Sequence, residues 1–238
     1  MERLKKTLRS EGELKSSDLL RWLQDIAGED ATRRGGGQAV LLSHGCTWVL
    51  VKNRLEIGRW PQPGEELTLI TWPMKGRFGL YPRCFELRDT AGELLVKVES
   101  IWAIMDVESR TMLRGEERGI ELEGIEEGRL RPQRRLAMPE GGDVFSIAPS
   151  PEQIDGNGHM NNAAYFDAVE PMLPAEFQGK HPCLISVDYE HEIPAGCSAE
   201  VRVVREGESC FFEGSMEGRV CFRMQEEFGI GEKLGVRS

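Results

Sequence analysis

The sequence has no apolar run near the roughly 18–20 residues that a membrane-spanning helix requires. It has no Cys-x-x-Cys pair. Its six cysteines stand at irregular spacing, at positions 46, 84, 183, 197, 210 and 221, so the usual zinc-ribbon and dithiol signatures are missing. It has no Gly-x-Ser-x-Gly elbow, which counts against a serine nucleophile. No apolar segment follows Met1-Glu-Arg-Leu-Lys-Lys6, so no secretory signal is read, and a cytoplasmic location with reduced thiols is expected.

A basic excess is lacking too. The chain carries 30 Lys and Arg against 40 Asp and Glu, a net charge of −10, which argues against nucleic acid as a partner. The deficit lies at one end. Residues 1–135 hold 23 basic against 22 acidic side chains, whereas residues 136–238 hold 7 against 18. An acidic protein partner would be repelled by the second part and is expected on the first.

The 238 residues, 39% hydrophobic and 29% charged, fit a globular chain of one large or two modest domains. Its two halves read alike. Leu19, Leu20, Leu23, Ile26 and Ala27 form the apolar stripe of a helix over about Ser17–Arg33. Ser16, Ser17 or Asp18 is in place to cap it and Gly35-Gly-Gly37 to end it. Strand patterns follow at Thr47–Ile57, Glu65–Trp72, Leu80–Asp89 and Leu94–Asp106. The second half predicts a helix over about Asn161–Leu173, stopped by Pro174. Strands then follow at Cys183–Ile193, Ala199–Glu206, Ser209–Glu217 and Arg219–Phe228. Pro61-Gln-Pro-Gly64 and Pro194-Ala-Gly196 occupy corresponding turns. A repeat of about 140 residues is too long for a solenoid and points to two fused α+β units, each a curved sheet around a helix. We divide the chain into a first unit over residues 1–113, a charged linker over residues 114–142 and a second unit over residues 143–238.

Chemistry concentrates in Ile154-Asp-Gly-Asn-Gly-His-Met-Asn-Asn162. If this segment is extended, Asp155, Asn157 and His159 share one side. The helix predicted to follow would offer free N–H groups to a developing oxyanion. The same composition fits an Asx-rich turn with a helix cap. An EF-hand loop is rejected, because it needs Gly at its sixth position and Glu at its twelfth, where this chain has Met160 and Phe166. Zinc is poorly supported, with no second His or Cys at ligand spacing.

Asp155, Asn157, His159, Asn161 and Asn162 resemble the Asp-x-Asn-x-His-x-Asn-Asn motif of the acyl-acyl carrier protein thioesterases of plants and bacteria. Glu192, following Tyr189, resembles that family's catalytic glutamate. The first half adds Gly45-Cys-Thr-Trp48, Leu55-Glu-Ile57, Thr71-Trp72, Arg83, Asp89-x-x-Gly92-Glu93, Ser100-Ile-Trp102 and Asp106, in the shared order. The resemblance runs from about Ser17 to Gly196. It implies two tandem hotdog domains, each a long helix wrapped by an antiparallel sheet, with the acyl chain bound by the first and catalysis in the second. It also implies thioester hydrolysis that releases free fatty acid from acyl carrier protein, with no cofactor and no metal. Some plant members have Cys directly after the glutamate. Here that residue is Ile193, so a thiol nucleophile at that place is excluded, and Cys197 is read as structural.

The expected catalytic set is therefore Asp155, Asn157, His159 and Glu192. The two carboxylates act as a pair on water, Asn157 polarises the carbonyl, and His159 orients a carboxylate or donates a proton. His191, next to Glu192, is expected on the opposite face of a regular strand. Of the five tryptophans, all in the first half, most are expected in the core and one or two along an acyl tunnel. Carrier protein is acidic, so Arg33, Arg34, Lys75, Arg77 and the Arg129–Arg135 cluster are candidate docking cations. An acyl-coenzyme A thioesterase, a hotdog dehydratase and a non-catalytic acyl-binding module are the competing readings. A monomer or a homodimer is compatible with an internal repeat.

Overall fold

The computed structural model describes residues 2–126 and 134–229. In the first half the elements are β1 (Leu4–Arg9), α1 (Ser16–Arg33), α2 (Gln38–Ser43), β2 (Cys46–Ile57), β3 (Glu66–Pro73), β4 (Leu80–Arg88), β5 (Leu94–Asp106) and β6 (Met112–Leu113). The second half has β7 (Asp143–Ile147), α3 (Ala164–Val169), β8 (Leu184–Tyr189), β9 (Ala199–Glu206), β10 (Ser209–Met216) and β11 (Arg219–Glu227).

All the strands belong to one antiparallel sheet in the order β1-β3-β4-β5-β2-β8-β11-β10-β9-β7, with the two-residue β6 pairing against β5. The order shows the repeat. Each half has a strand, a helix, a second strand and then three more, laid out as first, third, fourth, fifth, second. The two second strands, β2 and β8, pair at the centre, with Lys52 opposite Asp188 and Asn53 opposite Val187. The α+β class expected from the pattern is the class observed.

Strands β5 and β9 have the expected bounds, and β2, β3, β4, β10 and β11 differ by a single residue at one or both ends. The larger difference is in β8, which stops at Tyr189 instead of running to Ile193. The pattern did not reveal β1 and β7, the strands that precede each helix. Both are edge strands with mostly exposed side chains, and β1 is charged (Lys5, Lys6, Arg9), so neither carries a clean two-residue apolar alternation.

Helix α1 lays Leu19, Leu20, Leu23, Ile26 and Ala27 on the sheet, all buried. Its N-cap is Lys15, and the expected cap residues Ser16, Ser17 and Asp18 lie within the first turn without a side-chain cap bond. Gly35 closes the helix at φ 77°, while the Gly36 amide returns to the Ala31 carbonyl at 2.9 Å. The second helix is shorter than the periodicity predicts. The Asn161 side chain accepts from the Ala163 amide at 2.9 Å, so the chain is still turning there, and Pro171 converts the C-terminal end to a 3₁₀ turn over Glu170–Met172. One apolar cluster contains Leu19, Leu20 and Leu55 from the first half with Tyr165, Phe166, Ile185 and Phe222 from the second. The charged segment between the halves packs against both. Ile125 bridges to Met74, and the Leu136 amide donates to Asp188 at 2.8 Å.

Candidate active site

The segment before α3 is a tight loop rather than an extended strand. Ile154 bridges Met160, the Asp155 amide donates to the His159 carbonyl at 2.8 Å, and Gly158 takes φ 83°. Gly158 thus favours reversal of the chain over the extension that would align alternate side chains. Asp155 folds its own loop, accepting the Asn157 amide at 2.8 Å and the His159 amide at 3.3 Å on Oδ1. Asn157 is exposed at the tip, and His159 is half-buried.

Glu192 reaches this loop from the segment after β8. That strand ends because the Glu190 and His191 amides both donate to the Cys221 carbonyl, at 2.8 and 3.0 Å. Beyond it the chain pairs with the motif loop. Met160 N–H donates to the Ile193 carbonyl at 2.9 Å, and His159 bridges Pro194. His159 Nε2 then lies 3.3 Å from Glu192 Oε2. Of the four sequence-predicted residues, the structure brings His159 and Glu192 into side-chain contact. Asp155 joins them through backbone hydrogen bonds. The contact seen at Glu192 is a carboxylate–imidazole one, while Oδ1 of Asp155 is engaged by the amides of its own turn. The expected anion site at a helix N-terminus is also reduced, because α3 is a single short helix entered through the Asn161 turn.

Aromatic packing fixes the loop from below. Tyr165 meets Tyr189 and Phe222 edge-on, with centroids at 5.7 and 4.8 Å, and the Tyr189 hydroxyl donates to the Asn162 carbonyl at 3.1 Å. Burial holds both phenols well above their ordinary range, so they remain neutral. Burial acts in the same direction on the thiols of Cys84, Cys210 and Cys221. Desolvation pushes Cys84 to about 12 and Cys210 to about 11, and all six cysteines are free. His191 is exposed. His181 stacks on Trp60 and pairs with Glu13 at 3.1 Å. Among the described residues no three His, Cys, Asp or Glu side chains converge as a metal site.

One contact was not legible in the sequence. Arg110, in the turn between β5 and β6, pairs with Glu192 Oε2, the oxygen that faces His159. Nothing in Val107-Glu-Ser-Arg110 marks it as a site residue, because the contact depends on how the two halves meet.

A cavity of about 240 Å³ lies in the first half, between α1 and strands β2–β5. Trp48, Trp102, Tyr81, Met74 and Leu122 supply its apolar wall, and Arg34 and Arg83 a polar one. Cys46, two residues before Trp48, pairs with Asp106 at the head of the turn that carries Arg110. Trp48 and Trp102 of the cavity wall thus lie on β2 and β5, the two strands that pair beside the Arg110 turn. Two of the five tryptophans line it, while Trp60 is buried in the core.

Two family models match the chain, the acyl-ACP thioesterase N-terminal domain over residues 8–118 and the acyl-ACP thioesterase C-terminal domain over residues 145–228. A chloroplastic acyl-[acyl-carrier-protein] hydrolase of Cuphea viscosissima is 25% identical over 157 residues, a match that covers 61% of this chain and 38% of that protein. The chain thus spans well under half the length of this curated relative. The crystal structure of an acyl-ACP thioesterase from Bacteroides thetaiotaomicron superposes with a TM-score of 0.82 at 22% identity, covering 95% of this chain and 98% of that one. The 12:0-ACP thioesterase from Umbellularia californica gives 0.79 at 18% identity, covering 95% and 97%. These two likenesses establish the tandem hotdog fold.

Proposed function

The chain belongs to the acyl-ACP thioesterase family, and from that membership we propose that it hydrolyses the thioester of an acyl group held on acyl carrier protein, releasing the free fatty acid. The observation that carries the reading is the His159–Glu192 pair at 3.3 Å, built on the Asp155 loop where the two halves meet. Glu192 acts as the general base. It takes a proton from water as the water oxygen bonds to the thioester carbonyl carbon. The carbon–sulfur bond then breaks, and His159 passes the proton to the leaving sulfur. Atoms balance as thioester plus water giving carboxylic acid plus thiol. Asp155 holds His159 in place by accepting its amide, and Asn157 at the loop tip donates to the carbonyl.

We assign the acyl chain to the cavity of the first half, where Trp48 and Trp102 supply flat apolar walls. In this reading residues 1–113 bind the chain, residues 114–142 connect, and residues 143–238 catalyse. Of the docking cations named from the sequence, Arg33 and Arg77 are exposed, Lys75 pairs with Glu126, Arg34 pairs with Asp30, and Arg135 pairs with Glu190. Arg129 and Arg131 lie outside the described residues. The exposed cations of the first half favour contact with an acidic carrier there. No helix among the described residues is long and apolar enough to cross a membrane. The free cysteines support a reducing compartment, and the cytoplasm is the location we propose.

The test is hydrolysis of matched acyl-carrier and acyl-coenzyme A substrates by the intact chain and its Glu192→Gln variant. Turnover on the carrier substrate should exceed that on coenzyme A, and the variant should lose about 10²- to 10⁴-fold in kcat. Undiminished turnover by the variant would remove Glu192 from the reaction. Release of thiol from neither substrate would leave an acyl-binding module.

A further inference from the structure

Arg110 occupies a position that a hairpin ordinarily gives to glycine or asparagine. Asp106 organises the turn. Its Oδ1 accepts the Glu108 amide at 3.1 Å, the Ser109 amide at 2.8 Å and the Ser109 hydroxyl at 2.9 Å, and its carbonyl accepts the Arg110 amide at 3.0 Å. The chain closes with Arg110 in the left-handed region at φ 58°. Arg110 contributes only backbone to the hydrogen bonds of this turn. Its guanidinium leaves the hairpin altogether and meets Glu192 in the other half of the molecule. A strained conformation maintained for a side chain that serves a distant group points to function.

Glu192 needs such a support. It lies beyond the end of β8, on irregular backbone, with about a third of its side chain exposed (36%). His159 approaches one of its oxygens, and Arg110 approaches the same oxygen from the opposite half. We propose that Arg110 is a positioning residue for Glu192. Its charge, delivered from the first half, orients the carboxylate against His159, so that hydrolysis requires both halves to be in register. The inference rests on Glu192 serving in the hydrolysis proposed above.

The experiment uses the full chain as Arg110→Gly, Arg110→Lys, Glu192→Gln and the double variant Arg110→Gly/Glu192→Gln. It measures kcat and KM on acyl-carrier substrate together with thermal unfolding. Glycine relieves the left-handed strain, so Arg110→Gly should unfold no earlier than the parent. Its kcat should fall about 10- to 100-fold, as expected for a misplaced catalytic group, with KM within about twofold. Arg110→Lys should recover part of the loss. In the Glu192→Gln background, removing Arg110 should cost nothing further.

Four results would overturn the role of Arg110. The first is kcat kept within about twofold in Arg110→Gly while Glu192→Gln is inactive, and the second is a rise in KM alone. The third is multiplicative losses in the double variant, and the fourth a lowered unfolding temperature with no rescue by lysine. Full activity of Glu192→Gln is a different result, which defeats the hydrolytic reading itself.

Discussion

Replacing Asp30 by alanine should cost the fold several kilocalories per mole, because it strands a buried guanidinium. Asp30 is 1% exposed near the end of α1, and its Oδ2 accepts from Arg83 Nη1 at 2.8 Å and Arg34 Nε at 2.9 Å. Arg83 is 8% exposed on β4, and burial lowers its pKa from the ordinary value, opposed chiefly by Asp30. Without Asp30, Arg83 keeps only its bond to Thr71 Oγ1 at 3.1 Å and faces the neighbouring Arg34 cation. Removing one partner of a buried pair costs about 3–5 kcal/mol. Arg83 also lines the cavity, where water can partly replace the lost partner, so the lower end, about 3 kcal/mol, is the better figure. For a chain of this length that corresponds to a fall of about 6–12 °C in unfolding temperature. Calorimetry of the Asp30→Ala variant measures it, and Asp30→Ala/Arg83→Met should recover most of the loss, since no charge is then stranded. A shift under about 3 °C in the single variant, or no recovery in the double, would refute the argument.

Two further perturbations follow from buried groups on β10 and β11. Glu226 is 5% exposed, and burial raises its carboxyl from an ordinary 4.5 to about 7, with Glu170 adding repulsion. A raised carboxyl pKa means that the folded state binds the proton more tightly. This stabilisation is complete below pH 4.5 and is lost as the pH rises towards 7. The loss is on the order of 3 kcal/mol. Glu226→Gln should therefore match the parent at pH 4.5 and unfold at higher temperature at pH 8, and equal unfolding temperatures at pH 8 would contradict the reading. Gly214→Ala would place a Cβ 2.0 Å from Phe222 Cε1, on a ring with no exposure. A cost of about 1–3 kcal/mol should appear as a lowered unfolding midpoint in urea, and an unchanged midpoint would show that the ring moves freely.

The fold was largely legible because its signals are local. Apolar positions in α1 repeat at helical spacing, and the proline and glycine turns delimit long strands, so those elements announce themselves. The two edge strands β1 and β7 do not, since exposed side chains leave no face to pattern. The short second helix hid behind apolar residues, such as Ala164, Phe166 and Val169, that suit a longer one. Pro171 and the Asn161 side chain set its ends.

The site was legible as composition and less so as geometry. Asp155 and His159 were visible as an unusual cluster, yet whether Asp155 faced substrate or its own amides depended on the φ of Gly158. The pairing of His159 with Glu192 was not derivable from spacing, because they stand 33 positions apart in the sequence with β8 between them. Arg110 left no trace in the sequence at all. Its contact arises only when the end of β5 is brought to the end of β8.

The central β2–β8 ladder joins two copies of one topology on a single chain. In a symmetric pair made from separate copies, each substitution appears twice, and every position must serve both members. Covalent linkage removes that constraint. Among the described residues the segment before α1 holds no histidine and a cavity lies against that helix, whereas the second half carries the His159 loop and adds Tyr165, Phe212 and Phe222 to the shared core. Under the roles proposed for the two halves, tandem connection allows one copy to become a receptacle and the other a reagent, each free of the other's requirements.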